Sequence, residues 1–132
     1  MAISFEKAFG LHAQGMLVRS KRAEVIASNI ANADTPGYKA QGMDFKAAMT
    51  QAAKNQQMNM SRTNEKHFNT NMSMNDGIDY RVPNQPDTGD GNTVDVQVER
   101  NLYLQNSLEY QASVQFLNSK IKGLKKAITG GQ

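Results

Sequence analysis

The sequence contains no cysteine and no tryptophan, and only 3 prolines. Without cysteine there are no disulfides, no thiolate metal sites and no thiol nucleophile. A cysteine-free chain also suits passage from a reducing to an oxidising compartment. No stretch approaches the ~18–20 consecutive apolar residues of a membrane span. The N-terminus does not read as a cleavable secretory signal. Glu6, Lys7, His12 and Gln14 interrupt any apolar core, and no small-residue cleavage site follows. If the protein leaves the cytoplasm, the expected route is one that cleaves no signal of this type. Hydrophobic residues make up 39% of the 132, and mean hydropathy is −0.62. That is below the ~45–50% apolar share of globular domains. One small domain with a thin core is expected, with partner subunits covering the rest.

The formal charge is +3 and the isoelectric point about 9.2. The positive charges are spread along the chain and are not interleaved with aromatics, which argues against a nucleic-acid surface. The densest group, Lys120, Lys122, Lys125 and Lys126, sits where a helix C-terminus favours cations. The alternative reading it leaves is a small basic helical module that binds nucleic acid or an anionic membrane.

Residues 4–33 read as one long helix. Phe5, Phe9, His12, Met16, Arg19, Ala23, Ile26 and Ile30 follow a 4-3 spacing that places them on one stripe. The stripe is imperfect at His12 and Arg19, where neighbouring subunits are expected to supply the contacts. Ser4 is the expected N-cap, and Pro36 forbids continuation. Pro36-Gly37 fits the centre of a type II turn, because glycine accepts positive φ. Residues 94–128 read as the second long helix, with Tyr103, Tyr110, Val114, Leu117, Ile121, Leu124 and Ile128 in register. Leu102, Leu104, Leu108 and Phe116 widen its apolar face. Asn92 or Thr93 is the expected cap, and Gly130-Gly131 the expected left-handed exit.

The fold class expected is therefore mainly α: long N- and C-terminal helices forming an antiparallel coiled-coil-like pair, with an extended, loop-rich middle segment. The division is 1–36, 37–93 and 94–132. Within the middle, 46–54 is a candidate short helix. Met58/Met60 and Met72/Met74 alternate with polar residues and allow short strands. From Val82-Pro83 to Asn92 the chain reads as loop.

No catalytic constellation is legible. His12 and His67 are far apart and lack a carboxylate in ligand register, so packing explains His12 more simply than metal ligation does. Asp87, Asp90 and Asn92 miss the spacing of a calcium loop and read as a polar turn. Asp44, Glu65 and Asp79 are isolated acids. No enzyme, no cofactor and no small-molecule substrate are expected.

The most specific feature is the segment 27–40, Ala-Ser-Asn-Ile-Ala-Asn-Ala-Asp-Thr-Pro-Gly-Tyr-Lys-Ala. Its small residues permit close helix approach. Asn29 and Asn32 offer hydrogen bonds, Thr35, Pro36 and Gly37 turn the chain, and Tyr38 anchors it. This segment resembles the signature of the flagellar rod and hook family of axial proteins, and the overall pattern is closest to a proximal rod subunit. Asp44-Phe45, the segments 63–68, 80–83 and 90–95, and the helix segments 107–111 and 122–128 resemble that family too, while 50–59 matches nothing.

The resemblance implies a structural subunit that polymerises around the export channel and links the membrane ring and export gate to the rest of the rod. It implies export without a cleaved signal and residence in the periplasmic part of the basal body. The implied partners are copies of itself, other rod subunits, a rod-base adaptor and membrane-ring protein, and the type III export gate. Phe5 and Phe9 resemble the export-gate motif of such subunits. Helix packing and subunit contact are expected from Phe5, Phe9, Met16, Ile26, Ile30, Tyr110, Val114, Leu117, Ile121 and Leu124. The signature turn is Asn29, Asn32, Thr35, Pro36, Gly37 and Tyr38.

Overall fold

In the computed structural model, residues 5–57, 77–83 and 89–130 are described, with backbone alone for 5–8 and 55–57. Helix α1 spans Phe5–Ala31, strand β1 Gln41–Met43, helix α2 Phe45–Gln57, strand β2 Ile78–Tyr80 and helix α3 Val96–Thr129. The expected mainly helical fold with long terminal helices is present. At 1.5 Å per residue α3 is about 51 Å long.

The two long helices run antiparallel. Asn29 meets Glu99 near one end of the pair, and Arg19 meets Asn106 and Glu109 further along. The buried line on α1 is Gly10, Gly15, Val18, Val25, Ile26 and Asn29. This lies one residue off the stripe read from spacing, on which Met16, Arg19, Ala23 and Ile30 are half-buried and Ile26 alone is buried. On α3 the innermost positions are Glu99 and Asn106, flanked by half-buried Leu102, Glu109 and Ser113. Tyr103 and Tyr110 remain exposed. Val25 and Ile26 are both apolar, so spacing alone cannot say which of two adjacent stripes turns inward.

The ends of α1 and α3 follow local chemistry, with one correction. The Thr35 carbonyl accepts from the Tyr38 N–H at 3.2 Å, and Gly37 has φ 72°, as a type II turn around Pro36-Gly37 requires. Gly130 closes α3 at φ 75°, its N–H donating to the Lys126 carbonyl. The N-cap of α3 is Asp95, not Asn92 or Thr93: its Oδ1 accepts from the N–H of Gln97 at 3.0 Å and of Val98 at 3.3 Å. Ser4 lies outside the described residues.

The described parts of the middle segment carry more regular structure than the composition suggests. Asp44 Oδ1 accepts from the N–H of Lys46 and Ala47, which caps α2. Strands β1 and β2 pair antiparallel, Gln41 opposite Tyr80 and Met43 opposite Ile78. Sequence reading placed candidate strands around Met58/Met60 and Met72/Met74, which lie outside the described residues, as do His67, Glu65, Asp87 and the 63–68 segment. The core is small, as the composition implied. Among the described residues its buried apolar members are Val18, Val25, Ile26, Ala40, Ala48 and Val94.

Candidate assembly interface

The most enclosed side chains are polar. Asn29 is 0% exposed and Glu99 is 1% exposed. Asn29 acts as a splice between α1 and the first strand. Its Oδ1 accepts from the Gln41 N–H at 3.0 Å, and its Nδ2 donates to the Gln41 carbonyl at 2.7 Å. The side-chain amide thus imitates a neighbouring strand. The same Nδ2 donates to Glu99 Oε2 at 3.1 Å, and the Tyr38 hydroxyl donates to Asn29 Oδ1 at 3.2 Å.

Arg81 completes this hub from the other strand. Its Nη2 reaches Glu99 Oε1 at 2.7 Å and donates to the Gln41 carbonyl at 3.2 Å. Its backbone N–H donates to the Ala40 carbonyl at 2.9 Å, extending the β1–β2 pairing by one rung. Both carboxylate oxygens of Glu99 are therefore engaged, which is what permits a buried charge. The hub joins α1, α3 and both strands at one point. Gly42 is part of its geometry, because a Cβ there would sit 3.1 Å from Arg81 Cγ.

A second hub closes the C-terminal end of α1. Asn92 Nδ2 lies within 2.9 Å of the Asn32, Ala33 and Thr35 carbonyls, so two amide hydrogens serve three acceptors. Asn92 Oδ1 accepts from the Val94 N–H at 2.8 Å. Around it the Gly37 N–H donates to the Asp90 carbonyl and the Thr93 N–H to the Tyr38 carbonyl. Carbonyls that a helix end leaves without partners are thereby satisfied from the chain leading into α3.

Further along the pair, Arg19 and Arg22 flank Glu109 at 3.7 and 3.8 Å. The Arg19 guanidinium also lies 4.5 Å from the centre of the Phe45 ring, tying α2 to α1. Asn106 Nδ2 donates to the Arg19 carbonyl at 3.0 Å. The irregularity at Arg19 was expected to await neighbouring subunits; the chain's own α3 and α2 fill it instead. His12 is half-buried.

Outside these hubs the hairpin is open. Leu11, Leu17, Leu104, Leu108, Phe116, Ile121, Leu124 and Ile128 are exposed, Ile128 by 85%. Of the residues read as packing or contact positions, Ile26 is buried, Phe9, Met16, Ile30, Val114 and Leu117 are half-buried, and Tyr110, Ile121 and Leu124 are exposed. The side chain of Phe5 lies outside the described residues. Of the turn residues, Asn29 is buried, Asn32 and Tyr38 are half-buried, and Thr35, Pro36 and Gly37 are exposed.

Among the described residues there is no group of three or more His, Cys, Asp or Glu arranged for a metal, and no helix long and apolar enough to cross a membrane. What the site offers is a braced pair of helices with unfilled apolar faces.

A family profile described as "Flagella basal body rod protein" matches residues 11–39. Over all 132 residues, the chain is 58% identical to the flagellar basal body rod protein FlgB of Aeromonas hydrophila, with 100% of both chains covered. The chain belongs to the FlgB family of flagellar basal body rod proteins. FlgB of Proteus mirabilis strain HI4320 is 36% identical, covering 99% of this chain and 100% of its own. FlgB of Salmonella typhimurium is 36% identical over 89% of this chain and 90% of its own.

The profile match ends just after the α1 turn, so it takes in Asn29, Tyr38 and the carbonyls that Asn92 holds. In this FlgB-family chain the most specific stretch of sequence is the stretch that builds both hubs. Sequence reading named Asn29 and Tyr38 but missed Glu99 and Arg81 as members of the Asn29 hub, and Asn92 as the donor to the Asn32, Ala33 and Thr35 carbonyls. The available signal was a charged residue, Glu99, set among the apolar residues of the last helix.

Proposed function

We propose that the protein is a structural subunit of the proximal rod of the bacterial flagellar basal body. The observation that carries this reading is the full-length identity of 58% to a flagellar basal body rod protein. The architecture supports it. Two long antiparallel helices present exposed Leu104, Leu108, Phe116 and Ile128, the kind of surface that a neighbouring subunit covers. The subunit polymerises around the export channel and joins the membrane ring and export gate to the rest of the rod. Its role is mechanical, with no reaction catalysed.

The partners in this reading are copies of the chain, other rod subunits, a rod-base adaptor, the membrane-ring protein and the type III export gate. The working location is the periplasmic part of the basal body next to the inner membrane, reached without a cleaved signal. Residues 1–36 and 94–132 form the inner layer and 37–93 the connecting segment. Phe9, Met16, Ile30, Val114, Leu117, Ile121 and Leu124 supply contact surface, with Phe5 and Phe9 read by the export gate. Asn29, Asn32, Thr35, Pro36, Gly37 and Tyr38 fix how α1 leaves that layer. Nothing favours the alternative of a nucleic-acid or anionic-membrane module.

Clean deletion of the gene tests the reading. It is expected to abolish rod and filament while leaving the membrane ring visible by electron microscopy. A deletion strain that still swims would overturn it.

A further inference from the structure

A groove of about 480 Å³ opens at the end of the hairpin where α1 finishes and α3 begins. Val25, Ile26, Met43, Tyr80, Val98 and Leu102 make its lining largely apolar. Arg22 and Arg81 also face it, and each is already engaged by a carboxylate, Glu109 and Glu99 respectively. The charges left over are those of Asp44 and Asp79. Both are exposed, and neither is in an ion pair among the described residues. The groove is therefore apolar inside, with the Asp44 and Asp79 carboxylates at its rim outside any ion pair among the described residues.

The opposite end of the same hairpin has the complementary character. Over its last turns α3 exposes Ile121, Leu124 and Ile128, interleaved with exposed Lys120, Lys122, Lys125 and Lys126. None of these lysines is in an ion pair among the described residues. From residue 100, level with the groove, to residue 124 is about 36 Å along one helix. Because α3 is continuous from Val96 to Thr129, a single copy cannot bring its own end back to its own groove.

We propose that the groove receives the C-terminal end of α3 from a second copy of this chain. Ile121, Leu124 and Ile128 of the incoming helix lie on the apolar lining, and its lysines face Asp44 and Asp79. The contact joins two different surfaces of identical molecules. Such a contact is heterologous, and unless the rotation closes it repeats as an open helical assembly. The proposal rests on the rod-subunit reading and deepens it by naming which ends meet.

The absence of native cysteine makes a direct test available. Asp79→Cys and Lys125→Cys are made separately and together in the full chain. Under oxidation, a mixture of the two single variants is expected to give a covalent dimer that neither gives alone. The double variant is expected to give a ladder of dimers, trimers and higher species. An Asp44→Cys and Lys122→Cys pair probes the same contact at a second position and is expected to behave alike. Mixtures that stay monomeric with both pairs would overturn the proposal. So would dimers formed as readily by one single variant alone, since they report a symmetric contact. A second readout is sedimentation: Asp44→Lys with Asp79→Lys is expected to weaken self-association at least tenfold, and unchanged association counts against the contact. Loss of rods on gene deletion together with absent cross-links would leave the rod reading standing and remove this contact alone. Cross-links in a protein whose deletion strain swims would do the reverse.

Discussion

Asn29 and Glu99 are 70 residues apart in sequence, and their side chains meet at 3.1 Å inside the helix pair. A hydrogen bond between an amide and a buried carboxylate is a demanding way to join two helices. It tolerates little sliding, because a shift of one residue along either helix would carry the two side chains out of hydrogen-bond reach of each other. The contact therefore sets the register of α1 against α3, and Arg81 adds the strand pair to the same fixed point. Apolar packing alone would be more forgiving of register, since Val18, Val25 and Ile26 offer similar surfaces to whatever slides past them.

Removing one member of this hub should be far worse than replacing it whole. Glu99→Ala takes the carboxylate from Arg81 and Asn29, leaving them the Gln41 carbonyl alone, and is expected to destabilise the fold by roughly 3–5 kcal/mol. Glu99→Leu combined with Arg81→Met is expected to recover most of that loss. Thermal unfolding followed by circular dichroism checks both. Equal destabilisation by the single and the double variant would show that the ion pair is not the coupling element.

Asn92 separates two effects that alanine alone would merge. Asn92→Ala withdraws the donors from the Asn32, Ala33 and Thr35 carbonyls and is expected to cost about 1–3 kcal/mol. Asn92→Asp keeps the acceptor for the Val94 N–H but turns a carboxylate toward three carbonyl oxygens. The aspartate is therefore expected to be the more destabilising of the two in chemical denaturation. The Val94 amide should exchange its hydrogen faster in the alanine variant than in the aspartate variant.

Two glycines should fail for different reasons. Gly37 has φ 72° with open space around its Cβ position, so Gly37→Ala carries backbone strain alone, about 1–2 kcal/mol. At Gly42 the added Cβ would press on the Arg81 side chain at 3.1 Å, which must give by a few tenths of an ångström while it holds Glu99. A double-mutant cycle in the thermal unfolding assay should show Gly42→Ala coupled to Arg81→Met and Gly37→Ala uncoupled from it.

Folding and assembly should respond to different isoleucines. Ile26 is 2% exposed, and Ile26→Ala is expected to cost about 2–5 kcal/mol in the isolated chain. Ile128→Ser changes a side chain in open solvent and is expected to alter monomer stability by less than about 0.5 kcal/mol. Its expected effect is on motility, scored by swimming in soft agar with normal protein levels. Normal swimming with Ile128→Ser would remove Ile128 from the contact surface.

The sequence by itself determined the two long helices, their antiparallel return, the Pro36-Gly37 turn and the Gly130 exit. The helices, the turn and the exit rest on local chemistry: apolar periodicity, a ring that cannot continue a helix, and a residue without a Cβ where φ turns positive. The signature segment 27–40 was legible as special for the same reason, as a run of small and amide side chains before a turn. Tertiary structure decided which of two adjacent stripes faces inward, because Val25 and Ile26 are equally apolar and polar contacts to α3, Asn29 with Glu99 and the Arg19 carbonyl with Asn106, fix how α1 is turned. It also decided that strands form at 41–43 and 78–80, since three-residue strands carry too little pattern to stand out and exist here because Asn29 and Arg81 hold their backbones. Asn92 looked like a cap for the helix that follows it, and the fold made it the cap for the helix that ended 60 residues earlier. A side-chain amide serves whichever carbonyls come within reach, and that is settled by distance in space rather than by distance along the chain.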